Sequence, residues 1–168
     1  MSDIYVVGIA MTVFGRHFER SIDDLAGEAL RGALRDAGCD AGAIGAAFYA
    51  GITNGALQGQ LSIPGQVVFS KIGIEGIPVH NVENACASGS SAVHLAIQTL
   101  KSGACDVALA LGAEKMNVPD KAKSFALFEA GWDVSRVDEN FASLMKLGEG
   151  IEPPPGSESD RPYSRFMS

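Results

Sequence analysis

The stretch that points most directly to a fold reads HNVENACASGSSAV and spans residues 80–93. Its first residues suit an extended segment, and from Asn84 to Leu100 the chain carries no Lys, Arg, Asp or Glu. The pattern predicts a short strand and then a helix from about Ser88, with Cys86 at the join. A thiol in that position faces free N–H groups and the positive end of the helix dipole, and both favour the nucleophilic thiolate.

The residues alone leave two interpretations of Cys86 open. It is either a nucleophile or a buried, inert small residue, as most free cysteines are. The residues after it, Ala87 to Ser91, are small enough to let a ligand or another backbone approach. The N–H groups at the start of the helix could then stabilise an oxyanion built on an attached acyl carbon.

The helix after Cys86 is apolar or small on nearly every side. A helix with no polar face is buried all round, whereas a helix on the outside of a single sheet keeps one side in water. The pattern therefore predicts that a second layer of protein packs over this helix.

Outward from this helix, strand-like and helix-like stretches alternate. Strands are predicted at Ile4–Ala10, Ala46–Ile52, Pro78–Val82 and Asp106–Leu111, and helices between Ser21 and Gly38, at Gln66–Ile72 and at Ser88–Ser102. The order β-α-β-α-β-α-β, with uninterrupted apolar strands, predicts an α/β fold with a largely parallel sheet covered by helices on both faces.

Composition excludes several functional classes. The 168 residues carry 13 Lys+Arg and 20 Asp+Glu, a net charge of −7, and a sequence-independent nucleic-acid binder needs a basic surface. Three cysteines are too few for a disulfide scaffold, and no Cys or His pair has the short spacing of a metal site. The uncharged run at residues 41–70 is rich in Gly and side-chain amides, which argues against a membrane span. With no secretory signal visible, a cytoplasmic location is the default expectation.

Charge density predicts two parts. Residues 1–116 form a Gly-rich compact core, whereas residues 117–168 are more charged and less regular. Pro153-Pro154-Pro155 is typical of an extended linker. Cys39 is expected on a surface loop and Cys105 in the core. Glu83 either orients the loop beside Cys86 by hydrogen bonds or is a solvated or interface charge. Glu114 and Lys115 either pair with each other or line the junction with the second part.

Three motifs together resemble the thiolase family, and within it the sterol-carrier-protein-type (lipid-transfer-protein-type) branch. Residues 81–90 are similar to its nucleophile loop, residues 6–15 to its opening strand and Thr-x-Phe-Gly turn, and residues 109–116 to the strand that ends in Gly-x-Glu-Lys-Met. The resemblance implies a fold of two similar halves stacked on each other. This chain matches the first half without its last strand, followed by the start of a loop domain.

The resemblance also implies a chemistry. Cys86 would be the nucleophile, its backbone N–H an oxyanion donor, and 3-oxoacyl-CoA and coenzyme A the substrates, with no permanently bound cofactor. Members of the family dimerise through the edge strand before the cysteine, which here is Pro78–Val82. A ketoacyl-synthase-like condensing enzyme, an aldolase-like relative and a non-catalytic subunit remain alternatives.

By the same resemblance, the histidine base and a second cysteine belong to the other half of the fold. This sequence contains no Gly-His-Pro or Cys-x-Gly motif. His17 is expected at the surface, His80 packed or hydrogen-bonded on a strand, and His94 in a packing role, so none is a good substitute for the base. We therefore expect no turnover from this chain alone. It is then a fragment, one subunit of a split enzyme completed by a second polypeptide, or a degenerate relative.

Overall fold

The computed structural model of the chain describes residues 3–129, 131, 133–152 and 155. The predicted linker at residues 153–155 lies almost entirely outside the described residues, and the chain end at residues 165–168 lies wholly outside them.

Six helices and three strands are assigned in the described part of the chain. The helices are α1 Ile22–Ala37, α2 Asn54–Gln58, α3 Pro64–Lys71, α4 Ser88–Lys101, α5 Lys121–Glu129 and α6 Val137–Leu147, and the strands are β1 Ala46–Ala50, β2 Val79–Val82 and β3 Ala108–Gly112. Two short 3-10 turns, Ala41–Ala43 and Ala85–Ala87, complete the set.

Helix α1 begins and ends where its capping residues predict. The Asp24 N–H donates to Ser21 Oγ at 3.0 Å, and the Ser21 N–H donates to Asp24 Oδ2 at 2.8 Å, which makes a reciprocal capping box. The backbone hydrogen bond from Ser21 is the main reason that the pKa of Asp24 lies below its ordinary value. At the other end Gly38 takes a left-handed φ of 65°, and its N–H bonds back to carbonyls of the last turn.

The three strands form one parallel sheet in the order β2-β1-β3. All five residues of the central strand β1 are buried. Its odd-numbered residues contact a cluster formed with α1 and α3, and its even-numbered residues contact α4 through Ala92 and Ala96. Both faces of the sheet are therefore covered by helices, which confirms the predicted α/β class.

The predicted strand at residues 4–10 is wrong, because no strand is assigned there. A Cβ added to Gly8 would meet Ala33 O at 2.3 Å, and the Ile9 N–H donates to Asp36 Oδ2 at 2.8 Å. The backbone of this segment thus lies against α1 instead of pairing with a strand. Its apolar side chains are largely exposed. Residues 4–10 have the composition that strands favour, but that composition does not show whether a partner strand supplies the hydrogen bonds.

The chain divides into two compact units, with the second beginning at Phe125. Within that second unit, α6 carries Asp138 and Glu139 in its first turn, and Arg136 pairs with Glu139 at 2.6 Å. The predicted boundary after residue 116 and the start of a loop domain stay predictions. Among the described helices, none combines the length and apolarity that crossing a bilayer requires.

Candidate active site

The carboxyl end of the sheet brings three loops side by side. Because the strands are parallel, the segments that follow β2, β1 and β3 all leave from the same edge. They are the turn that contains Cys86, the turn at residues 51–53, and the segment that begins at Ala113. Functional residues of open α/β sheets collect at this edge, so these three loops define the candidate site.

Cys86 lies in the 3-10 turn Ala85–Ala87, directly before α4, and its side chain is exposed. Its backbone N–H donates no hydrogen bond within the described part of the chain. The sulfur is therefore accessible at a helix N-terminus and lies beside a free donor. A nucleophile that forms a tetrahedral intermediate needs both features.

Side-chain hydrogen bonds shape the turn around Cys86. Ala85 is held at a φ of 44°, in the left-handed region that non-glycine residues rarely occupy. Its N–H donates to Glu83 Oε1 at 2.7 Å, and its carbonyl accepts from Ser88 Oγ at 2.7 Å. The Asn84 N–H donates to Ser88 Oγ at 2.9 Å, and Asn84 Nδ2 donates to Ser91 Oγ at the same distance. Glu83, whose role the sequence left open, thus bonds the turn.

Helix α4 contacts the sheet through small residues. Ser88, Ala92 and Ala96 are its buried positions, and they let the helix approach the strands closely. On the outer side Val93 and Leu95 remain 46% and 41% exposed. The predicted second layer over α4 is not among the described residues and stays a prediction.

Glu114 and Lys115 bond to two different loops and not to each other. The Glu114 carboxylate accepts from the Ile52 N–H at 2.5 Å, and from the N–H and the hydroxyl of Thr53. Lys115 Nζ donates to the carbonyls of Phe18 and Arg20. Glu114 therefore joins the end of β3 to the turn after β1, and this explains why β1 ends at Ala50, before the predicted Ile52.

A buried polar pair lies beneath this turn, and the sequence analysis missed it. The Tyr49 hydroxyl donates to Ala113 O at 3.2 Å and accepts from Asn54 Nδ2 at 2.6 Å. Burial raises the pKa of Tyr49 to about 12, so the phenol stays neutral. Asn54 Oδ1 is buried and finds no partner among the described residues. The available signal was a polar Thr53-Asn54 pair that directly follows an apolar strand.

None of the three histidines makes a hydrogen bond to Cys86 in the described structure. His80 is exposed and stacks on Phe48 with ring centroids 4.9 Å apart, as its predicted packing role requires. His17 was expected at the surface but is half-buried, because its ring reaches Val13 O at 2.7 Å. His94 was expected to pack but is exposed on α4, whose outer side has no described cover.

The other two cysteines lie apart from the candidate site. Cys105 is half-buried beside the apolar cluster under α4. A Cβ added to Gly45 would lie 2.6 Å from the Cβ of Cys105. Cys39 is also half-buried and lines an open surface depression at the carboxyl end of α1. The described residues include no group of three or more His, Cys, Asp or Glu side chains arranged to hold a metal ion.

The comparisons with known proteins decide the family. A family model described as "Thiolase, N-terminal domain" matches residues 4–144. The chain belongs to the thiolase family. This confirms the resemblance that the three sequence motifs predicted.

Relatives of this thiolase-family chain include Sterol carrier protein 2 of Gallus gallus, 37% identical over 125 residues, which are 73% of this chain and 22% of that protein. Acetyl-CoA acetyltransferase of Methanocaldococcus jannaschii is 38% identical over 116 residues, 69% of this chain and 29% of that protein. Among solved structures, 3-oxoacyl-[acyl-carrier-protein] synthase III from Aquifex aeolicus VF5 covers 51% of this chain and 27% of its own, at 20% identity and a TM-score of 0.42. The chain thus spans less than a third of the length of Sterol carrier protein 2 and of the acetyl-CoA acetyltransferase.

Proposed function

We propose that this chain supplies the nucleophile of a thiolase-type acyltransferase. The enzyme cleaves 3-oxoacyl-CoA with coenzyme A or runs the reverse Claisen condensation. Cys86 takes the acyl group as a thioester and passes it to coenzyme A or to an acyl-CoA carbanion. The observation that carries the proposal is the exposed Cys86 at the N-terminus of α4, whose own N–H has no hydrogen-bond partner among the described residues.

The surrounding residues suit this step. The sulfur attacks the acyl carbon, and the carbonyl oxygen gains negative charge that the Cys86 N–H can bind. Gly89 has open space where a Cβ would project, so a bulky thioester meets no side chain at that position of the helix. No permanently bound cofactor is needed, because coenzyme A is a substrate.

A complete enzyme needs groups outside the described residues. A base for Cys86 and a group that moves the α-proton are both required, and the described histidines do not reach the sulfur. We propose that a second half of the fold, on the same chain or on a second polypeptide, supplies them and covers Val93 and Leu95 of α4. The position of β2 at an edge of the sheet supports a homodimer through Pro78–Val82.

Iodoacetamide is expected to alkylate Cys86 at neutral pH about three times faster than it alkylates glutathione. The positive end of a helix stabilises negative charge on the attacking sulfur by about 0.3–1 kcal/mol, and the middle of that range corresponds to roughly this gain. The measurement is peptide-resolved mass spectrometry over a time course. Cys39 and Cys105 serve as internal controls, and in urea the three rates should converge.

A Cys86 rate at or below that of glutathione would contradict a primed nucleophile and favour the alternative of a non-catalytic subunit. Comparison with glutathione matters because Cys86 is more exposed than the other two cysteines. Faster alkylation of Cys86 than of Cys39 and Cys105 would be explained by solvent access alone.

The 168-residue chain by itself is expected to show no measurable cleavage of a 3-oxoacyl-CoA in the presence of coenzyme A. Loss of general acid–base help lowers rates by about 100- to 10,000-fold, and the α-proton step has no agent among the described residues. Loss of absorbance of the magnesium enolate of acetoacetyl-CoA follows the reaction. Robust cleavage that Cys86→Ala abolishes would show that the chain holds its own base.

A further inference from the structure

We propose that Ser88 is a positioning residue for acyl transfer: its hydroxyl holds Ala85 in the left-handed conformation that presents the Cys86 sulfur and N–H together. The inference rests on the proposed function, because it assigns a role to Ser88 in the reaction of Cys86. Ser88 itself touches neither the substrate nor the reacting atoms.

The hydrogen bonds of Ser88 support this positioning role. Its side chain is 5% exposed, and the hydroxyl both accepts from the Asn84 N–H at 2.9 Å and donates to Ala85 O at 2.7 Å. These two backbone groups lie on either side of the Ala85 φ torsion. A single hydroxyl therefore closes a ring across the strained residue, which an alanine at position 88 could not do.

The Ser88 hydroxyl matters because Ala85 is held in a strained backbone conformation. Ala85 and Ile63 are the only non-glycine residues with positive φ in the described chain. Such a conformation persists only where the surroundings hold it. When the Ser88 hydroxyl is removed, Ala85 returns to negative φ. This rotation reorients the peptide unit between Ala85 and Cys86, and the N–H of Cys86 turns with it.

Acetylation and alkylation separate positioning from general stability. With p-nitrophenyl acetate, the Cys86 sulfur bonds to the acetyl carbon, the bond to the nitrophenolate oxygen breaks, nitrophenolate leaves with the electron pair, and the thiol proton passes to solvent. This reaction develops an oxyanion. Alkylation by iodoacetamide displaces iodide and develops none.

We expect Ser88→Ala to lower the acetylation rate of Cys86 by about tenfold or more, since loss of one oxyanion donor costs enzymes about 100-fold or more. Alkylation should fall less than about threefold, since it needs only the exposed sulfur. Ser102→Ala is the matched control, because Ser102 Oγ also donates to the carbonyl three residues back, at the far end of α4. Ala85→Gly combined with Ser88→Ala should restore acetylation, since glycine adopts positive φ without a support.

Two results overturn the inference. The first is an equal acetylation rate of Cys86 in Ser88→Ala and in the wild-type chain. The second is an equal loss of acetylation rate in Ser88→Ala and in the double variant, which shows a merely structural role for Ser88. Failure of the proposed function looks different: wild-type Cys86 is then acetylated no faster, relative to its alkylation, than Cys39.

Discussion

Gly65→Ala is expected to destabilise the first unit by about 3 kcal/mol, combining overpacking with one lost hydrogen bond. A Cβ at this position would lie 2.6 Å from Tyr49 Cβ and 2.8 Å from Asn81 Oδ1. Tyr49 is in the centre of the sheet and cannot move aside, so the start of α3 must shift. The shift breaks the hydrogen bond from the Gly65 N–H to Asn81 Oδ1, which measures 2.7 Å. Urea denaturation of the variant and the wild-type chain measures the difference.

Gly89→Ala is the control for this substitution. Gly89 lies within α4, and nothing is within 4 Å of the Cβ that alanine adds. Alanine is the better helix former by about 1 kcal/mol, so this variant should be as stable as the wild-type chain or slightly more stable. Equal stability of Gly65→Ala and the wild-type chain would show that α3 does not contact the strands as closely as described.

Glu114→Ala is expected to destabilise the first unit by about 3 kcal/mol, because charge-assisted hydrogen bonds contribute most and the two donors of buried Thr53 are left unpaired. The carboxylate accepts from the Ile52 N–H and from the N–H and hydroxyl of Thr53. Thr53 is 0% exposed, so water cannot replace the lost acceptor at its hydroxyl. Thermal and urea unfolding report the change, and Glu114→Gln, which keeps one acceptor oxygen, should be intermediate.

Glu28→Ala is the matched control for the charge. Glu28 accepts from Arg20 at 2.6 Å in a salt bridge whose side chains are 45% and 32% exposed, and such pairs contribute about 1 kcal/mol or less. If Glu114→Ala proves no more costly than Glu28→Ala, the anchoring role of Glu114 is wrong.

Local chemistry made much of the fold predictable. The caps of α1, Ser21 and Gly38, act within a few residues of the helix they bound, so the sequence carries the signal in one place. The same is true of α4, because one short stretch, residues 80–100, contains both the Cys86 turn and the uncharged helix. The family resemblance rested on three such windows, and the match to residues 4–144 confirmed it.

Contacts between distant residues could not be predicted in this way. Ile4–Ala10 has the composition of a strand, yet its backbone lies on α1 because of Gly8 and the Ile9 bond to Asp36. The partners of Glu114 are 61 and 62 residues away. They meet only because β1 and β3 pair in parallel with a register that aligns Ala50 with Gly112.

The order of residues alone determined the alternation of helices and strands from α1 to β3, the boundaries of α1 set by its caps, and a cysteine where a strand gives way to a helix. These depend on short-range hydrogen bonding and on the periodicity of apolar side chains, which neighbouring residues fully specify. Only the tertiary structure decided that Ser88 bridges Asn84 and Ala85, and that Glu114 holds the turn after β1. Those outcomes depend on how the elements pack and pair across the chain, and residue spacing does not encode that geometry.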